Sequence, residues 1–237
     1  MAFYSSFAQH YDLIFPFKQR VFDFLKSYTN AETRDILDLG CGTGHYAARF
    51  SREGLQAIGI DLDSAMIAYA QKHYPETRFF VSNMLEMHLL NLQFDIIFCI
   101  GNTAAHVTRS EFGTLLKRVY QSLRPGGRWI FQVRNWDYVV KQKDYTFPIL
   151  QTVQGSIRFF RTYTNISKDR LTFNTRLEKN SEDIFNSRVI LYPLSSQQYL
   201  DLHAGHRFLL VDHFSDFQRT PFDVSIDSAN IFVFQKS

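Results

Sequence analysis

The chain of 237 residues has little cysteine, only Cys41 and Cys99. Two thiols build no disulfide framework, and neither has histidines at metal-ligand spacing, so neither a disulfide scaffold nor a metal centre is expected. Charge of one sign is also scarce. Lys and Arg number 26 against 23 Asp and Glu, a formal net charge of +3. No basic run marks a nucleic-acid footprint, so no nucleic-acid partner is expected. No apolar stretch is long enough to cross a bilayer, and no membrane partner is expected. The opening residues M-A-F-Y-S-S-F-A-Q-H lack the basic region and long apolar core of a secretory leader. A reducing cytoplasm suits the unpaired thiols. Repeats and low-complexity segments are absent. The composition that remains is that of a globular protein of one domain, or one with an elaboration, rich in Phe (24) and Tyr (12).

The most informative stretch is Asp35 to Tyr46, D-I-L-D-L-G-C-G-T-G-H-Y. Ile36, Leu37 and Leu39 form a strand-type apolar run that stops at Gly40. Gly42 and Gly44 follow, and His45 onward reads as a helix. Strand, glycine turn and helix open a doubly wound α/β domain, with a ligand expected where the strand ends. Glycine permits positive φ and close approach of bare backbone to that ligand. A dinucleotide site wants G-x-G-x-x-G, whereas the spacing here is G-x-G-x-G, with Asp38 two residues before Gly40. A carboxylate there repels a pyrophosphate and attracts an ammonium or sulfonium. S-adenosylmethionine carries both cations and no phosphate. Asp61 ends the next apolar run, about 20 residues on, where an acid can take ribose hydroxyls.

The rest of the chain follows the same alternation. Strands are predicted at 56–60, 79–81, 94–100, 128–133, 208–213 and 231–235, which with the first make a Rossmann-like sheet of seven. Phe94 to Ile100 is nearly all apolar, as a central parallel strand requires. Thr108-x-x-Glu111 and Ser195-x-x-Gln198 read as helix-capping signals. Before the first strand lie Phe3, Tyr4, Phe7, Tyr11 and Phe15, then a helix after Pro16. Residues 149–192 change character. Leu171, Phe173, Thr175 and Leu177 alternate with polar neighbours, and similar alternation runs over 153–163 and 184–192. This predicts an antiparallel three-stranded insertion. The division is 1–148 and 193–237 for the core and 149–192 for the inserted sheet, read as a lid over the substrate.

Several strings resemble the class I S-adenosylmethionine-dependent methyltransferases, and among them the glycine N-methyltransferase-like group of small-molecule enzymes. C-I-G-N-T-A-A-H (99–106) resembles that group's C-L-G-N-S-x-x-H-L. R-N-W-D (134–137) resembles its R-N-Y-D, and L-Y-P (191–193) its Y-Y-P. F-A-Q-H-Y-D (7–12) resembles the segment before the first strand in many members, and L-R-P-G-G the string before strand five. The resemblance implies S-adenosylmethionine as cofactor, held by Tyr11, Asp38, Gly40, Gly42, Gly44, Asp61, Leu62, Asn83, Met84 and Ile100. Asn83 stands where the family usually has an aspartate meeting the adenine. The resemblance further implies Asn102, His106 and Asn135 beside the reacting methyl; loop capping for Asn102 and a helix-side hydrogen bond for His106 remain alternative readings.

Methyl transfer is an in-line displacement, so the protein must align the nucleophile and exclude water, and a neutral amine needs no acid/base pair. The acceptor implied is a small molecule, an amine or amino acid before an alcohol or carbon acid, handled by a monomer or homodimer. Tyr138 and one arginine of the inserted sheet are expected to bind it. Arginine grips a carboxylate with two parallel hydrogen bonds, and of Arg158, Arg161, Arg176 and Arg188 the last lies five residues before Pro193 and is the choice. In the usual strand order the first and fourth strands are neighbours, which would place Cys41 and Cys99 both at the cofactor edge. A nicotinamide dehydrogenase would share the fold, but Asp38 and the glycine spacing oppose it. Amino-methylating nucleic-acid enzymes show N/D-P-P-Y/F after strand four, which Gly101-Asn102-Thr103 is not. A non-catalytic module would be expected to lose the glycines or Asp61.

Overall fold

A computed structural model describes residues 8–237. Phe3, Tyr4 and Phe7 lie outside the described residues. Two short helices come first, α1 (Ala8–Ile14) and α2 (Gln19–Lys26). The alternating core follows as β1 (Asp35–Leu39), α3 (His45–Arg52), β2 (Gln56–Asp61), α4 (Ser64–His73), β3 (Arg78–Val81), β4 (Phe94–Cys99), α5 (Arg109–Ser122) and β5 (Leu123–Arg134). Next come α6 (Trp136–Val139), β6 (Tyr145–Thr146), β7 (Leu150–Gln151), β8 (Ile157–Thr164), β9 (Leu171–Lys179) and β10 (Glu182–Leu191). α7 (Ser196–Gly205), β11 (Phe208–Phe214) and β12 (Ala229–Lys236) end the chain.

Seven strands form the main sheet in the order β11-β12-β5-β4-β1-β2-β3. β12 runs antiparallel to both its neighbours, and the other pairings are parallel. The reversal of strand order falls between β1 and β4, where a doubly wound sheet opens a crevice at its carboxyl ends. Strand alternation divides the core. Ile36, Phe98 and Ile130 pack with α2, α3 and α4 on one face, and Leu37, Ile97 and Trp129 pack with α5 and α7 on the other. Both capping boxes are closed: Thr108 and Glu111 satisfy each other's backbone N–H groups, as do Ser195 and Gln198. At the edge remote from the crevice, Arg124 bridges Asp35 (2.7 Å) and Asp95 (2.9 Å), tying β1, β4 and β5 together. The L-R-P-G-G string, expected before strand five, lies within β5 at a register shift.

The inserted sheet is larger than the sequence predicts. It has five strands, β10-β9-β8-β6 in order with β7 also pairing β8. β6 and β7 are two residues each, too short to show alternation. Successive residues of the three long strands face opposite ways. Phe159, Leu177 and Phe185 pack with Ile14 and Phe15 at the end of α1, while Tyr163, Leu171 and Leu191 join the main core. The inner face of the inserted sheet therefore lies over both α1 and the carboxyl ends of the main sheet. No helix among the described residues is long and apolar enough to cross a membrane.

Candidate active site

The glycine turn holds three left-handed backbone conformations, φ +73° at Gly40, +55° at Gly42 and +86° at Gly44. The glycines serve different ends. A Cβ on Gly40 would lie 2.4 Å from Thr103 Cγ2, and one on Gly44 would lie 2.6 Å from Phe79 Cζ. Those two positions are bare because the protein itself fills the space. A Cβ on Gly42 would meet Tyr11 at an ordinary 3.7 Å, so Gly42 leaves its backbone facing a cavity of about 540 Å³ at the carboxyl ends of β1, β2 and β4.

Asp61 closes the turn from β2. Its Oδ2 accepts from Gly42 N and its Oδ1 from Asp63 N, each at 2.9 Å. A carboxylate oxygen can accept more than one bond, so both still have capacity toward the cavity they line. Asp38 lines the same cavity and is only 2% exposed. Burial, with the charge of Asp61 added, pushes the Asp38 carboxyl well above the usual carboxylate range. Burial also raises Asp61, against the backbone N–H bonds that favour its charge. Two carboxyls in one desolvated space oppose each other's ionisation, and a cation between them favours both. A pyrophosphate would deepen the conflict. The two carboxyls therefore fit a ligand with hydroxyls, positive charge and no phosphate, as S-adenosylmethionine has.

α1 covers the turn. Tyr11 lies against Gly42, its phenol raised far above its usual range by burial and the charge of Asp61. Its neighbour Asp12 makes the tether. Asp12 Oδ1 accepts from Thr43 Oγ1 at 2.6 Å and lies 3.0 Å from His45 Nε2, while Oδ2 accepts from Tyr69 Oη at 3.1 Å. Burial acts to raise this carboxyl, but the bonds from His45 and Thr43 hold it below its usual range. At the far end of the cavity stand His106, Gln132 and, from β10, Val189. Burial lowers the pKa of His106, which keeps the imidazole neutral near neutral pH.

Residues 36–127 match the family described as a methyltransferase domain. Through this domain the chain is similar to the S-adenosylmethionine-dependent methyltransferases. It is 31% identical over 143 residues to a methyltransferase of Geobacillus sp. strain WCH70, a match over 56% of this chain and 58% of that one. It is 30% identical over 122 residues to the glycine N-methyltransferase of Mus musculus, over 44% of this chain and 42% of that protein. The chain thus spans about half the length of these relatives. Among solved structures, an S-adenosylmethionine-dependent methyltransferase from Clostridium acetobutylicum superposes with a TM-score of 0.82 over 99% of both chains, at 15% identity, which shows a common fold.

The cavity gathers Tyr11, Asp38, Gly40, Gly42, Asp61, Leu62, Asn83, Met84, Ile100 and His106. Asn83 caps the following turn, its Oδ1 accepting from Leu85 N at 3.0 Å, and its side chain lines the cavity with the Nδ2 donor left for a ligand. Gly44 is not part of the lining; Phe79 and Ala70 fill its surroundings.

Four other expectations are corrected. The side chain of Asn102 is tied to β5, its Oδ1 accepting from Arg134 N at 2.9 Å, so it acts as a loop brace outside the cavity lining. Asn135 is fully buried, donating from Nδ2 to Val224 O and Asp227 O at 2.9 Å each and accepting from Tyr138 N at 3.4 Å. Tyr138 lies on α6 with its ring partly in solvent, away from the cavity lining. Arg188 faces the wrong way: Val189 points into the cavity, so Arg188 lies on the outer face, in a second groove with Phe160, Asn174 and Arg176 whose floor reaches Arg161 and Thr175. Of the cysteines, Cys41 lines the cavity but Cys99 is buried in the core beneath it.

Residues absent from the sequence reading also line the cavity: His45, Thr103, Gln132 and Phe217. Asp12 has a signal in the Y-D of F-A-Q-H-Y-D, but its partners are spread over the glycine turn, α3 and α4 and leave no local pattern. Lys18 stands exposed at the cavity rim.

Proposed function

We propose that this protein transfers a methyl group from S-adenosylmethionine to a nitrogen of a small-molecule acceptor. The observation that carries the reading is the pairing of Asp38 and Asp61 in one buried cavity that continues to the neutral imidazole of His106. The cofactor, when bound, supplies a methyl group already activated on a cationic sulfur. Asp61 accepts the ribose hydroxyls and Asn83 donates to the adenine edge. Asp38 supplies negative charge at the cationic end, and Lys18 at the rim is placed for a carboxylate. Tyr11 and α1 exclude water from above. His106 takes the proton that frees the amine's lone pair for attack, a task suited to an imidazole held neutral by burial.

Nitrogen is favoured over oxygen by the likeness to a glycine N-methyltransferase and by His106 as the base at the acceptor end, since an alcohol acceptor asks for a stronger base than an imidazole. A screen of amines, amino acids and phenols with isotopically labelled cofactor, read by mass spectrometry, tests this. Labelled amine products are expected. Labelled phenol products with every amine unmodified would move the reading to O-methylation, and no transfer to any acceptor together with no cofactor binding would overturn it.

A further inference from the structure

Across the inner face of the inserted sheet, one row breaks the apolar pattern. Arg161 on β8 pairs with Thr175 on β9, which pairs with Ser187 on β10. The rows on either side are apolar, Phe159–Leu177–Phe185 and Tyr163–Phe173–Val189, and Val189 already lines the cofactor cavity. Arg134 approaches the polar row from the carboxyl end of β5, two residues beyond the cavity-lining Gln132 and on the same side of the strand.

Both guanidiniums pack on one aromatic ring, Arg161 Cζ at 4.7 Å and Arg134 Cζ at 5.1 Å from the centroid of Phe147. Arg161 also lies 5.9 Å from the Phe15 ring, which lines the cavity. Among the described residues neither forms an ion pair, whereas Arg158 and Arg176 on the outer face are both paired with Glu178. Arg161 Nη2 donates to Pro148 O and Arg134 Nη2 to the Tyr145 hydroxyl, each at 3.1 Å. The Nε of each is buried with no partner, and so is Thr175 Oγ1, on a residue only 2% exposed. Burial, with the charge of Arg134 added, lowers the pKa of Arg161. Two like charges and an orphaned hydroxyl under one roof are costly unless an anion completes them.

We infer that Arg134, Arg161, Thr175 and Ser187 form a subsite for a doubly negative group carried by the methyl acceptor. Naming the anion's bearer as the acceptor rests on the proposed methyl transfer; the subsite itself does not. One carboxylate matches one guanidinium. Two guanidiniums with two hydroxyl donors match the oxygens of a phosphate ester or of paired carboxylates, in charge and in number.

The test is calorimetric titration of the full chain, with and without S-adenosylhomocysteine, using inorganic phosphate, malonate and acetate at pH 8. Phosphate or malonate is expected to bind about tenfold or more tightly than acetate, and Arg161→Gln to abolish that preference. Arg161→Lys keeps part of it, Thr175→Val weakens it, and Arg188→Gln on the outer face leaves it unchanged. A preference for phosphate assigns a phosphate ester, and one for malonate a dicarboxylate. Equal affinity for all three probes, a dianion preference that survives Arg161→Gln, or one lost in Arg188→Gln would overturn the subsite. Melting temperatures of the variants separate misfolding from loss of the site. S-adenosylhomocysteine binding without dianion binding removes the subsite alone, and the reverse result removes the methyl-transfer reading alone.

Discussion

The carboxylate of Asp12, on α1, stands 3.0 Å from Nε2 of His45, on the helix that follows the glycine turn. With the bonds from Thr43 and Tyr69, this holds the helix carrying Tyr11 against Gly42. Asp12→Ala leaves Thr43 and Tyr69 without their acceptor and frees α1. Cofactor affinity is expected to fall by about 1–2 kcal/mol, roughly 5- to 30-fold, mainly through faster dissociation. Stopped-flow displacement reads this directly, and an unchanged dissociation rate would show that the tether does not hold the cofactor.

Asp61 has a more direct role. Under the proposed cofactor placement, Asp61→Ala removes the acceptor for two ribose hydroxyls, and it also releases Gly42 N and Asp63 N. A loss of about 1–3 kcal/mol in cofactor affinity is expected by calorimetry. Affinity equal to that of the wild type would remove Asp61 from the site.

The pH dependence of transfer should report His106. Its pKa is lowered by burial below the usual 6.5, so the neutral form is complete at neutral pH and is lost only as pH falls beneath that value. kcat/KM is expected to be flat through neutrality and to decline on the acid side. His106→Asn should lower the rate by about 100-fold or more and flatten that acid limb. An acid limb of the same shape in the variant would assign it to another group.

Stability in acid should report a different histidine. His203 is fully buried, stacked on Phe234 at 3.7 Å, and burial lowers its pKa to about 3. Its Nε2 accepts from Trp129 Nε1 at 3.1 Å, so Nδ1 carries the proton, 2.5 Å from Tyr199 O. Protonating Nε2 would set two N–H groups against each other. The unfolded chain takes up this proton near pH 6.5 and the folded one near 3, so stability contributed by the neutral ring is full above 6.5 and is lost as pH falls between those values. At pH 5 the loss from this one group is about 2 kcal/mol. Denaturant unfolding across that range checks it; a His203→Gln protein with the same pH slope would assign the slope elsewhere.

The cofactor half of the site was legible because local chain geometry fixes it. A strand, a glycine turn and an acid at the next strand's end must converge at the crevice, whatever lies elsewhere. The acceptor half was less legible. Alternation on β10 was visible, but not which set of residues points inward, and an error of one residue exchanges the faces. That ambiguity points to Arg188, although it is Arg161 that faces in. The amides failed for another cause. Asn102 and Asn135 sit beside the site in sequence, yet their bonding is decided by Arg134, Val224 and Asp227, and an amide at a strand end can serve backbone or ligand equally well. The insertion's extra strands, two residues each, carry too little pattern to be seen.

α1 has one side tied through Asp12 to the glycine turn, while its last residue, Ile14, is buried with Phe159, Leu177 and Phe185 of the inserted sheet. A helix fastened at both sides cannot open toward one ligand without loosening the wall around the other. The two halves of the cavity therefore share one wall, and a change that shifts α1 is felt at both.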